Sequence, residues 1–112
     1  MGKVNQELLG KAAKIDELVA YGDGAVISRT VIDKKVGTIT LFSFDAGQGL
    51  SEHTAPFDAF VQILDGIMEI SVGGQPHTVS KGEMIILPTG IRHALKAQER
   101  SKMLLVMIRA EE

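Results

Sequence analysis

Turn signals recur so often after Tyr21 that no long helix fits between them. Gly22-Asp23-Gly24, the charged stretch Asp33 to Gly37, the glycines of the loop from Asp45 to Ser51, Asp65-Gly66 and Gly73-Gly74 punctuate the chain. The runs between them are short, apolar and rich in β-branched residues, the signature of strands. We read strands over Ala25–Ile32, Gly37–Phe44, Ala59–Leu64, Ile67–Val72, Pro76–Val79, Met84–Leu87, His93–Ala97 and Met103–Ile108. Ala59–Leu64 and Ile67–Val72 read as a hairpin closed at Asp65-Gly66. Many short strands at close spacing predict an all-β antiparallel sandwich or jelly roll.

Three runs do not alternate. Leu41-Phe42 with Phe44, Met84 to Leu87 and Met103 to Ile108 are apolar on both parities. An antiparallel strand normally keeps one wet face, so these strands need cover on both. The cover comes from the N-terminal arm or from a second copy of the chain, and we expect a homodimer.

Residues 1–20 have a different period. Leu8, Ala12, Ile15 and Val19 recur at helical spacing, interrupted by Gly10. This predicts a short N-terminal helical arm, with the barrel over residues 21–112.

Composition excludes several classes. The 112 residues fit one domain, and 45% apolar content supports one core. The net charge is -2 and the basic residues are scattered, so neither nucleic acid nor an anionic membrane is the expected partner. With no cysteine, disulfides, thiolate metal sites and Cys nucleophiles are excluded. No apolar run approaches the roughly 18 residues of a membrane span, and no signal-peptide core opens the chain. A cytoplasmic location is the default expectation.

Two stretches carry spaced motifs. The first holds Gly47, His53, Ala55, Ala59 and Gly66; the second holds Gly82, Pro88, Gly90, His93 and Ala97. Their spacing resembles the two motifs of the cupin superfamily, over roughly Gly37 to Met107. The run from Glu52 to Ala59 also looks like small bacterial single-domain cupins. The resemblance implies a double-stranded β-helix, a jelly-roll barrel. In the family pattern Ala55 is a second His, Ala59 a Glu and Ala97 an Asn. The intact set of three His and one Glu implies a divalent metal such as Zn, Ni, Mn or Fe. Here only His53 and His93 remain, so the resemblance implies an incomplete site and at most a weakly held metal.

The candidate pocket residues are His53, His93, Asp58 and Arg92, with His53 and His93 also the candidate metal pair. Asp58 sits one residue from the lost Glu and faces inward only if a bulge intervenes at Pro56-Phe57. Arg92 is either a rim charge or an anchor for a carboxylate. His77 is either a third inward ligand or an edge-strand histidine. Glu52 and Gln62 should face away by parity. The catalytic residues are unknown. Three functions stay open: a small-molecule-binding cupin with little metal chemistry, a metal-dependent enzyme of isomerase, lyase or dioxygenase type using His53 and His93, and a structural or regulatory dimeric module. Ala55 and Ala59 enlarge the pocket and make it more apolar, which favours the binder.

Overall fold

The computed structural model describes residues 2–110 and contains, among them, ten β-strands, one 3-10 turn and no α-helix. The strands are β1 (Lys3–Val4), β2 (Val26–Lys34), β3 (Gly37–Phe44), β4 (Gly49–His53), β5 (Phe57–Asp65), β6 (Ile67–Val72), β7 (Gln75–Ser80), β8 (Met84–Leu87), β9 (His93–Ala97) and β10 (Ser101–Arg109). They form a six-stranded sheet, β1-β2-β3-β10-β5-β8, and a four-stranded sheet, β4-β9-β6-β7. Every pairing is antiparallel.

Alternation explains the packing. Along β5 the inward residues Ala59, Val61 and Ile63 are buried, and Met103 and Phe44 join them from the same sheet. Met68, Ile70, Val79, Leu95 and Ala97 face them from the other sheet and close one core. Neither sheet has another way to bury its apolar face, so they stack.

Asp65-Gly66 does not close a hairpin. β5 and β6 lie in different sheets, and the dipeptide carries the chain across between them. Gly66 takes φ +82° there. The Ile67 N–H donates to Ser101 Oγ at 3.1 Å, and that hydroxyl donates to the Glu99 carbonyl at 2.8 Å. The crossing is therefore held by the start of β10. The β6–β7 hairpin at Gly73-Gly74 forms as the turn residues indicate.

The N-terminal helical arm is corrected. In its place stand the short strand β1, paired to β2, and a single 3-10 turn over Ile15–Glu17. Gly10 sits at φ +72° and interrupts any helix. A short segment with an interior glycine cannot offset the cost of helix nucleation. The segment instead crosses the outer face of the six-stranded sheet as an extended strap. Barrel side chains satisfy its carbonyls: Arg29 donates to Leu18 O at 3.0 Å, Ser43 Oγ to Ala20 O at 2.7 Å and Lys102 Nζ to Asp16 O at 2.6 Å. Tyr21 anchors the strap's end by donating to Asp65 at 2.5 Å. Burial, then the adjacent Asp65 carboxylate, holds the Tyr21 hydroxyl above its ordinary pKa.

The strap explains why β3 is apolar on both faces. Leu41 lies opposite Leu104 and Arg29 on the outer face, yet it is fully buried. Further along, that face is open. Ile86, Phe60, Val106 and Ile39 pair in one row across four strands, with Ile86 50% exposed.

Candidate functional site

His53 and His93 sit opposite each other on β4 and β9. β4 reads as a loop from its sequence, because Ser51, Glu52 and His53 are polar and exposed on an edge strand. Its register slips between Leu50 and His53. Leu50 lines the cavity, so strict alternation would send His53 outward. The bulge restores it to the inner side, facing His93.

The two imidazoles meet edge to face, ring centroids 4.5 Å apart and planes at 70°. His93 is 7% exposed, whereas His53 is open to solvent. Each Nδ1 lies against the carbonyl two residues earlier: His53 on Ser51 O at 2.7 Å and His93 on Ile91 O at 3.2 Å. A carbonyl only accepts, so each neutral ring carries its proton on Nδ1 and leaves Nε2 as a lone-pair acceptor. Burial, and secondarily the neighbouring His53, hold His93 below the ordinary histidine pKa, outweighing its bond to the Ile91 carbonyl.

Both rings line one cavity of about 40 Å³. Its other walls are apolar: Leu50, Leu87 and Leu95, the small Ala55 and Ala59, and Phe57, Val61, Met103, Leu105 and Met107. The two alanines stand where the intact motif has ligands, and they leave the space those side chains would fill.

The remaining candidates lie elsewhere. Asp58 stays on the outer face, because β5 pairs with β10 in unbroken register from Phe57 to Ile63 and no bulge intervenes at Pro56-Phe57. Its Oδ1 accepts the Thr89 N–H at 3.0 Å and holds the turn before His93. Arg92 does not line the cavity. Its Nε pairs with Glu52 at 3.4 Å, and a terminal nitrogen reaches Gly73 O at 3.4 Å. Both partners of that pair are about half exposed, so it is a rim contact of small energy. His77 is exposed on the edge strand β7 and lines a separate groove with Met84 and Ile85. Gln62 lies on the outer face between Leu104 and Met84.

Among the described residues, no three His, Asp, Glu or Cys side chains converge as a metal cluster. Two imidazoles, one of them solvent-exposed, do not fit a tightly held resident metal.

A closed pair of antiparallel sheets with histidines at one mouth defines a double-stranded β-helix barrel. The family model described as Cupin domain matches residues 40–109, and the chain belongs to the cupin family. It is similar over its whole length to a conserved protein of unknown function from Streptococcus pyogenes, with 36% identity, 98% of that chain covered and a TM-score of 0.92. A Cupin 2 conserved barrel domain protein from Leptotrichia buccalis is 39% identical over 84% of this chain, with a TM-score of 0.82. This chain spans 46% of that protein's length. A cupin superfamily protein from Desulfitobacterium hafniense shares the fold, with a TM-score of 0.86 over 96% of this chain and 95% of that one at 23% identity. No curated protein matches the sequence.

Proposed function

We propose that this cupin binds a small, largely apolar organic molecule bearing one hydrogen-bond donor. The observation that carries the reading is the pair of free Nε2 acceptors on rings lining an otherwise apolar cavity. Among the described residues no formally charged side chain lines that cavity, which disfavours a charged group at its floor. A volume of about 40 Å³ is on the scale of one or two waters. The buried end of the ligand is therefore slender, such as an alkyl chain, with a hydroxyl at the imidazoles. Met103 and Met107 adapt the walls to it, since methionine repacks at low cost.

1-Hexanol is the probe. Titrated into protein labelled at methyl and imidazole nuclei, it should shift the Ala59 and Met107 methyls and the His93 Nε2 resonance together. Shifts confined to surface residues, or none, overturn the reading.

A metal-dependent enzyme using His53 and His93 is the second reading. What favours it is the same tautomer, since Nδ1 bonded to a carbonyl presents Nε2 for coordination. A metal here needs a third donor from its substrate. We also propose a homodimer through the outer row of Ile86, Phe60, Val106 and Ile39, which leaves a structural role for that face.

A further inference from the structure

Phe57 is a shared wall. On one side it lines the His53–His93 cavity; on the other it lines a surface groove with Lys34, Lys35, Thr38 and Arg109. Strand register places the two side by side. Ala59 pairs with Met107 and Met107 with Thr38, so all three share one row of the inner face. The next residues along that face, at the rim, are Phe57 and its partner Arg109.

The groove has the chemistry of an anion site. Three cationic residues, Lys34, Lys35 and Arg109, line it against one carboxylate, Asp33, which lies opposite Thr38. The Arg109 guanidinium lies 5.1 Å from the centre of the Phe57 ring, and its Nε donates to Lys35 O at 3.2 Å. Those contacts orient the guanidinium and, among the described residues, use one of its five N–H donors. Thr38 Oγ1 is buried with no hydrogen-bond partner, alone among the buried side-chain polar atoms described. An orphaned hydroxyl is costly to the chain by itself, and Thr38 is part of the groove wall.

We propose that the groove is the anion subsite of the same pocket. The ligand is an amphipathic anion: its short apolar tail passes Phe57 into the cavity and carries the hydroxyl that meets the imidazoles, and its carboxylate or phosphate head rests on Arg109 and the lysines. This rests on reading the cavity as a small-molecule pocket.

Three probes with one hydroxyl-bearing tail test it: 1-hexanol, 6-hydroxyhexanoate and 6-hydroxyhexyl phosphate, followed at the Ala59 and Met107 methyls. At low salt, at least one anion should bind about tenfold more tightly than 1-hexanol, and the advantage should shrink as salt is added. The anion with the larger advantage identifies the head group. Lys35→Gln and Arg109→Gln should each reduce that advantage about threefold and leave 1-hexanol affinity unchanged. Lys35 lies in an exposed turn, so its variant keeps the test valid if Arg109→Gln unfolds. Binding of 1-hexanol with no anion advantage overturns the subsite and leaves the pocket reading standing. Failure of all three probes overturns both.

Discussion

His53 and His93 are direct cross-strand partners, yet one ring is solvent-exposed and the other is buried at 7% exposure. Their roles therefore differ. His93 is the ring whose protonation the fold resists, and His53 is the ring that meets the solvent first.

This asymmetry sets a pH dependence. His93 has its folded pKa below the unfolded value near 6.5, so the unfolded chain binds the extra proton in that window. The stability involved is complete above about pH 6.5 and is lost as pH falls toward the folded value, by at most about 1.4 kcal/mol per pH unit. The depressed Asp45 carboxyl, held by the Gly24 N–H and Arg100, adds its own loss only below its ordinary carboxylate range. Urea midpoints at pH 7.5 and 5.5 should differ for the native chain and differ less for His93→Gln. Equal differences in both would remove His93 from the account.

Metal affinity should be limited by donor number. We expect well under one equivalent of Zn²⁺ per chain after dialysis, and occupancy near one for the double variant Ala55→His, Ala59→Glu. Both positions line the His53–His93 cavity, so the new donors have imidazoles beside them. Elemental analysis decides it. One tightly held metal in the unaltered chain would favour the enzyme reading over the binder.

Gly66 and Gly90 share a left-handed backbone, at φ +82° and +75°, but differ in surroundings. A Cβ on Gly66 runs into the Arg100 carbonyl and Ser101, whereas one on Gly90 meets nothing. Alanine at Gly90 should therefore cost about 1–2 kcal/mol from backbone strain alone. At Gly66 the same change should cost about 3 kcal/mol or more, since the crossing between sheets must shift. Similar melting temperatures for the two variants would refute the close approach at Gly66.

The open outer row predicts self-association. Ile86 and Ile108 are 50% and 61% exposed on the face that the strap leaves bare. Light scattering at micromolar concentration should give about twice the 12.0 kDa chain mass. Ile86→Asp with Val106→Asp should give a monomer that keeps its fold by circular dichroism. A monomer from the unaltered chain ends the dimer proposal.

Much of the barrel was legible in the residues themselves. Turn residues and the short apolar runs between them identify β3, β6, β8 and β9 to the residue, because both are local properties. The paired motifs place His53 and His93 on facing strands. Local pattern also misled. The helical spacing from Leu8 to Val19 is real, but the barrel face offers bonds to an extended strap and Gly10 breaks the helix. Asp65-Gly66 has a hairpin's composition, yet its strands pair elsewhere.

The site itself belongs to the tertiary structure. Which face His53 takes depends on a bulge in β4, and bulges arise from pairing with β9, which one strand's sequence does not contain. Asp58 is turned away because β10 holds β5 in unbroken register through that position. Thr38, Phe57 and Arg109 carry no motif at all. They meet because β3, β10 and β5 are neighbours in one sheet, and strand order is a long-range choice made when the two apolar faces close on each other.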